Sequence, residues 1–421
     1  MPEAYSIEQL RAQAFSLFER LGLPGRKLED WKYTDVSRLA STLGETWWQA
    51  TSEQPAFSAE GSIEDLDAYR MVFVSGVFVP AQSKLPDGVD VLPLADLLKR
   101  AQSDDSKALF KLDTDAPLMN GFVAVAVALA QDGLCACIAD GVILDKPLYM
   151  IHVGHGRSHV LSGVMLGTGA EATLIEHFIG STDEVAGLSN TVTYARLAAN
   201  ASLTHYRLQQ EHAQQYHMGR VEVKQSRDSR YVLHAVELGS SLSRLDVLVK
   251  LAEENASCEL NGLFVASGRQ HIDHHTRVDH IAPRCVSREN YRTLLDGRSH
   301  GVFNGKVVVH KGAVKTDSSQ SNANLLLSKK SEIDTKPELE IYNDDVKCAH
   351  GATIGQLDQA QLYYLTSRGV PEAIAKELLL VAFADSVLVG MKDKTVRRFI
   401  ERAAFAKLPH TSGIEGLTHE R

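Results

Sequence analysis

No stretch of this chain is apolar for long enough to cross a bilayer. The longest runs, Phe122–Ala130 and Leu378–Ala384, fall far short of the roughly 20 residues a spanning helix needs. Cysteine is scarce: Cys135, Cys137, Cys258, Cys285 and Cys348 form an odd set without framework spacing, so thiols in a reducing cytoplasm are expected. No Cys-x-x-Cys pair occurs, and Cys135-Ala-Cys137 is too tight for zinc or redox spacing, so four thiolates for a permanent metal–sulfur cluster are missing. Neither Gly-x-x-x-x-Gly-Lys-Ser/Thr nor Gly-x-Gly-x-x-Gly is present, so this chain does not bind ATP in the P-loop manner and a dinucleotide fold is not indicated. Dense Lys/Arg blocks are absent too. With a net charge of −9, nucleic acid and anionic membrane are not expected partners. The amino terminus, Met-Pro-Glu-Ala-Tyr-Ser-Ile-Glu-Gln, carries no apolar core of a signal peptide.

What is present is a globular composition, 44% hydrophobic and 23% charged over 421 residues, enough for two or three domains. The first part reads as helix. Ser6 is a candidate N-cap, Leu10, Phe15, Leu17, Phe18 and Leu21 form the apolar stripe, and Leu23-Pro24-Gly25 ends it. Arg26–Thr34 holds Trp31 and Tyr33 in a polar setting and reads as a packed connection. A strand at Arg70–Val79, a helix at Ala95–Gln102 and a buried helix from Asn120 to Ala130, capped by Asn120, complete a mixed region over residues 1–147.

From 148 to 355 the texture changes to short strand-like runs. These include Ala172–Phe178, Thr191–Leu197, Ser202–Leu208, Arg220–Lys224, Tyr231–Leu238, Leu245–Leu251, Ser257–Val265, His271–Val278 and Val302–His310. Small-residue corners at Gly169-Ala170, Asn200-Ala201, Asn255-Ala256 and Lys311-Gly312-Ala313 separate them, with a recurrence of roughly thirty residues. Hairpin turns are lacking, so a β-solenoid is favoured over a two-sheet jelly roll. Residues 356–421 revert to helix. Leu357–Ser367 precedes a break at Val370-Pro371, Ala373–Leu388 is apolar on almost every side, and Lys392–Leu408 is amphipathic; the final dozen residues are polar. The helix at 373–388 must be covered, partly by its neighbour and partly by a partner.

Three segments carry candidate chemistry. In Lys336–Gly355 a strand with Leu339 and Ile341 on one face runs through Asn343-Asp344-Asp345 into Cys348 and His350, which share a face of an extended backbone. A thiolate and an imidazole suit iron or sulfur, but two ligands cannot close a tetrahedral site, and the spacing alone favours a buried Cys beside a turn-satisfying His. In His271–His280, alternation sets Ile272, Thr276 and Val278 on one face and His271, Asp273, His275, Arg277 and Asp279 on the other. The second set is a metal-site candidate for a stand-alone all-β enzyme, or else a polar outer strand face; Arg277 in the row favours the latter. Val314–Asn324 is hydroxyl-rich with no nucleophile elbow around its serines, and reads as a hydrogen-bonding ladder along a solenoid edge.

The runs Val302-Phe-Asn-Gly-Lys-Val-Val-Val, Lys315-Thr-Asp-Ser-Ser-Gln-Ser-Asn-Ala-Asn, Pro337-Glu-Leu-Glu-Ile-Tyr-Asn-Asp-Asp-Val-Lys-Cys-Ala-His-Gly and Tyr364-Leu-Thr-Ser-Arg-Gly, together with Glu29-Asp-Trp-Lys-Tyr-Thr, closely resemble the SufB/SufD family of iron–sulfur cluster assembly scaffolds. The resemblance spans essentially the whole chain. Gln320-Ser321 stands where the SufB branch carries Gln-Cys, and Ala349-His350-Gly351 where it carries Glu-His-Glu, so the chain resembles the SufD branch and an independent sulfur-acceptor role for Ser321 is in doubt. The resemblance implies a right-handed parallel β-helix between helical regions. It also implies a cytoplasmic, non-catalytic scaffold in complex with a SufB paralogue, joined through the β-helix, and with the SufC ATPase, docked on the carboxy-terminal helices; a homodimer in isolation is a further possibility. By the same resemblance His350, with Cys348 beside it, would be a transient ligand for iron or a nascent iron–sulfur cluster shared with SufB, and no permanent cofactor is expected. Ligands from a second chain would remove the objection that one Cys and one His are too few.

Overall fold

The computed structural model describes residues 7–51, 61–86, 90–94, 113–181 and 185–408. The Ser6 cap, the helix at Ala95–Gln102 and the polar carboxy-terminal dozen lie outside the described residues. Helices stand at both ends, and between them runs a β-solenoid of about eight turns.

Each turn contributes one strand to each of two facing sheets. The first sheet stacks β1 (Tyr69–Val74), β5 (Leu148–Gly154), β7 (Glu171–Gly180), β9 (Ser202–Gln210), β11 (Arg230–Glu237), β13 (Ser257–Ala266), β15 (Val286–Leu295), β17 (Asp317–Leu326) and β19 (Lys347–Gly355) in parallel, with β2 (Val77–Phe78) antiparallel on β1. The second stacks β4 (Leu134–Ile138), β6 (Arg157–Leu166), β8 (Gly187–Leu197), β10 (Gln215–Gln225), β12 (Leu242–Leu251), β14 (His271–His280), β16 (His300–Val309) and β18 (Glu332–Ile341), with β3 (Asp90–Pro93) antiparallel on β4. Strand pairing therefore reaches back into the mixed region, through β1 and β4.

The corners explain the recurrence seen in the sequence. Gly169, Asn200, Asp228, Asn255, Arg284 and Lys315 all have φ between 59° and 67°. One such left-handed residue closes each successive turn, a conformation Gly, Asn and Asp tolerate and Arg or Lys adopts only at a cost.

Inward rows of both sheets form the main core, among them Leu174, Leu203, Leu233, Leu260, Val247, Val223, Phe264 and Phe303. Outside the second sheet, α1 (Ile7–Leu21), α2 (Ser37–Leu43) and α3 (Gly121–Leu129) pack through Phe18, Leu39 and Phe122, joined by Trp31 and Trp47 from the connecting segments, against Leu188, Met218 and Leu242. Asn120 caps α3 as expected, its Oδ1 accepting from the amides of Phe122 and Val123. Outside the first sheet lie α5 (Glu372–Leu388) and α6 (Lys394–Phe405), burying Leu380, Ala384, Val387 and Ile400 on Ile151, Ile179, Leu208, Leu263 and Leu294. Much of the apolar surface of α5 is thus used on the chain's own sheet, while α4 (Gln359–Ser367) exposes Tyr363 and Tyr364. No helix among the described residues is long and apolar enough to cross a membrane.

Candidate functional site

The solenoid ends in an open turn. Among the described residues β19 and β18 are the outermost strands of their sheets, each with a neighbour on one side only, which leaves an edge of backbone donors and acceptors. Around that edge Ile341, Tyr342 and Ile354 are exposed.

Cys348 and His350 sit on β19 as the alternation required. Cys348 pairs in register with Ser318 and packs against the interior core; His350 pairs with Gln320 and, having no turn above it, is exposed. Burial pushes the Cys348 thiol above its ordinary pKa, opposed by the Ser318 backbone, so the sulfur carries its proton at neutral pH. Below the thiol a row of hydroxyls continues inward. Ser287 Oγ donates to Ser318 Oγ at 2.9 Å, and since its single proton goes there, His280 must donate to Ser287 through Nε2, also at 2.9 Å. Burial lowers His280 to about 4, which keeps that ring neutral. Beneath His350, Gln320 Nε2 donates to Glu289 Oε1 at 3.2 Å, and Thr276 Oγ1 donates to Glu289 Oε2.

The ladder read from Val314–Asn324 therefore exists but faces the interior rather than an edge: Ser318, Gln320, Asn322 and Asn324 are all buried, and only the alternate residues look out. Ser321 is one of these, exposed on the opposite sheet face from His350 and 3.5 Å from Arg292 Nη1.

The His271–Asp279 row is not a solvent face. The Arg26–Thr34 connection, read as packed, covers it: Thr34 Oγ1 donates to Asp273 Oδ2 at 2.5 Å, and with that proton committed His271 Nε2, 2.8 Å away, must donate to Thr34. Arg244 Nη1 holds the same Asp273 oxygen at 2.7 Å while its guanidinium lies 3.9 Å over Trp31, and His275 Nε2 is 3.0 Å from Asp273 Oδ1. Burial alone would raise the Asp273 pKa, but Arg244 and then His275 outweigh it and hold the carboxyl well below the usual range. Burial lowers His271 to about 4. The carboxylate is committed to Arg244, Thr34 and His275, so the row secures the amino-terminal connection. Among the described residues no group of three or more His, Cys, Asp and Glu is arranged to hold a metal ion.

One feature went unread in the sequence: a charged cluster inside the solenoid. Arg207 Nη1 donates to Glu237 Oε1 at 3.2 Å, Arg207 Nε is 3.6 Å from Glu176 Oε2, and His205 Nε2 is 2.9 Å from that same oxygen. His217 bridges Arg207 Nη2 and Glu211 Oε2, each at 2.7 Å. Gly219 makes the room, since a Cβ there would fall 2.4 Å from Arg207 Nη2. A signal was available, because Glu176, His205, Arg207 and Glu237 all occupy core-parity positions of their strands.

Comparison with known proteins fits this architecture. Residues 154–383 match the model for the SUF system FeS cluster assembly SufBD core domain, and residues 2–150 match the SufBD protein N-terminal region. The chain belongs to the SufBD family. It is 32% identical to the iron–sulfur cluster assembly protein SufD of Escherichia coli, over 93% of this chain and 90% of that protein. It is 29% identical to a SufBD family protein of Synechocystis, over 90% of this chain and 86% of the relative. SufD of Bacillus subtilis is 23% identical across 93% of this chain and 92% of its own length. In this chain His350 and Cys348 stand on the final turn, and an outward Ser321 lies next to Gln320.

Proposed function

We propose that this SufBD protein is a non-catalytic scaffold subunit of the SUF system, whose final turn lends His350, and secondarily Cys348, to a cluster-building site completed by a SufB-type paralogue. The observation that carries the reading is an exposed imidazole and a half-buried thiol on the inward row of a one-sided edge strand. Two ligands leave the coordination shell incomplete, as a shared site requires, and the exposed Ile341, Tyr342 and Ile354 around it offer apolar area to a second chain. Iron and sulfide are cargo here. Neutral imidazole binds iron weakly enough for a finished cluster to leave, and Cys348 joins once metal displaces its proton.

On this reading the carboxy-terminal helices receive the SufC ATPase, with Tyr363 and Tyr364 of α4 as exposed aromatic anchors. ATP-driven movement of those helices would open the paralogue interface at the final turn to iron and sulfide. The setting is the cytoplasm. Purification of the tagged chain from its host, with partners identified by mass, should recover a P-loop ATPase and a paralogue bearing the Gln-Cys pair; recovery of the chain alone would count against the reading. In the recovered complex, His350→Ala should leave assembly intact and abolish cluster formation. Clusters forming at the normal rate would exclude the ligand role.

A further inference from the structure

Glu289, Gln320 and His350 are register partners on β15, β17 and β19, three inward side chains stacked one per turn. The middle one is tightly held. Gln320 is 3% exposed, its Nε2 donates down to Glu289, and across the interior a Cβ on Gly305 would fall 2.1 Å from that nitrogen. Only glycine opposite leaves the amide its place. With Nε2 committed to the turn below, the planar amide carries Oε1 on its other branch, and this oxygen is buried with no hydrogen-bond partner among the described residues. A buried acceptor left unmatched is costly, and the next residue along the row with an N–H to give is His350, about 4.8 Å away by strand spacing.

We propose that Gln320, anchored by Glu289, is a positioning residue for His350: its Oε1 accepts one ring N–H, which fixes the imidazole tautomer and turns the other ring nitrogen outward as the iron-binding atom. This rests on the reading of His350 as a ligand. Metal-binding histidines generally have their second ring nitrogen held in this way, because the outer contact sets both ring orientation and basicity. The row explains why the ligand stands two positions from Cys348 on the inward face and not on the exposed outer face of the same strand. There no buried acceptor would meet it.

The test has two readouts. In the chain labelled with 15N-histidine, the His350 signals are assigned by their loss in His350→Ala, and the two ring-nitrogen shifts report the tautomer. The wild type should show one tautomer, and Gln320→Leu and Gln320→Asn, which remove or retract the carbonyl, should show a mixture. In the complex with the paralogue, titrated anaerobically with iron(II) alone, both variants should bind roughly 10- to 100-fold more weakly. Gln320→Asn keeps an amide in the interior and covers the case in which Gln320→Leu fails to fold. The same tautomer mixture in wild type and variants would overturn the proposal, as would unchanged iron affinity in the Gln320 variants when His350→Ala has lost it. If His350→Ala itself leaves iron affinity unchanged, the ligand reading falls, while the nitrogen shifts still decide the contact with Gln320.

Discussion

Replacing Arg207 by Met would remove the only guanidinium from the interior charged cluster while roughly preserving its volume. In the wild type Glu176 and Glu237 are fully buried. Burial by itself raises their pKa values, but His205 and Arg207 at Glu176, and His274 and Arg207 at Glu237, bring each down from 4.5 to about 2. A shift of that size is worth on the order of 3 kcal/mol per group above pH 4.5, lost as pH falls toward 2. Without Arg207 the two carboxylates keep only histidine partners, of which His274 stands 3.7 Å from Glu237. Breaking a buried pair on one side costs roughly 3–5 kcal/mol, and two carboxylates share this cation. We expect Arg207→Met to lose about 4 kcal/mol at pH 7 in urea unfolding. The sign of its pH dependence is diagnostic. Deprived of their cation, the buried carboxyls have folded pKa values raised above the unfolded ones, so protonation relieves them and the deficit relative to wild type must shrink between pH 7 and pH 4. A deficit below about 1 kcal/mol, or one constant across that range, would refute the argument.

Glu289 supplies the opposite case. Burial, set against hydrogen bonds from Thr276 and Gln320, raises it from 4.5 to about 7, so stability falls as pH rises from 4.5 to 7, and Glu289→Gln should gain up to about 3 kcal/mol over wild type above pH 7 and nothing below pH 4.5 in denaturant titrations. At the amino-terminal side, Gly121→Ala would place a Cβ 1.9 Å from the Gly22 carbonyl oxygen, prising α1 from α3; a strong drop in melting temperature is expected, and near-wild-type melting would contradict the packing. Lys315→Gly, at a left-handed corner with φ 61°, should stabilise by up to about 1 kcal/mol in the same assay, since its ion pair to Asp345 is exposed and weak.

The solenoid was legible because corner chemistry repeats: Gly169, Asn200 and Asn255 mark a left-handed turn that few residue types adopt. Asp228 belongs to the same column, but Arg284 hides a further corner behind a residue that signals nothing of the kind, and the corner before β17 was marked only by Gly312, three residues from its left-handed Lys315. Strand β15 was missed for a related reason: Val286-Ser-Arg-Glu-Asn-Tyr-Arg-Thr reads as polar, yet its inward members Ser287, Glu289, Tyr291 and Thr293 are all buried. Binary patterning assumes an oily interior, and this one carries hydrogen-bonded rows. That Cys348 and His350 share a strand face was legible from their spacing, which by itself favoured a buried Cys beside a turn-satisfying His and left a ligand role to the family resemblance. Gln320 and Glu289 beneath them needed the register, which a sequence does not display. The role of the His271 row was decided by tertiary cover from Thr34 and Trp31, more than two hundred residues away in the chain.

Stacked strands joined mainly by backbone bonds behave mechanically like a zip. Tension across the middle of the stack is shared by neighbours on both sides, but an outermost strand peels, its bonds yielding one at a time. β19 is such a strand. Arg292 on the second strand inward reaches both Ser386 of α5 and Ser321 of β17, which ties the carboxy-terminal helices to the strand on which β19 rests. Among the described strands, the one that carries the imidazole is thus one of the few held from a single side.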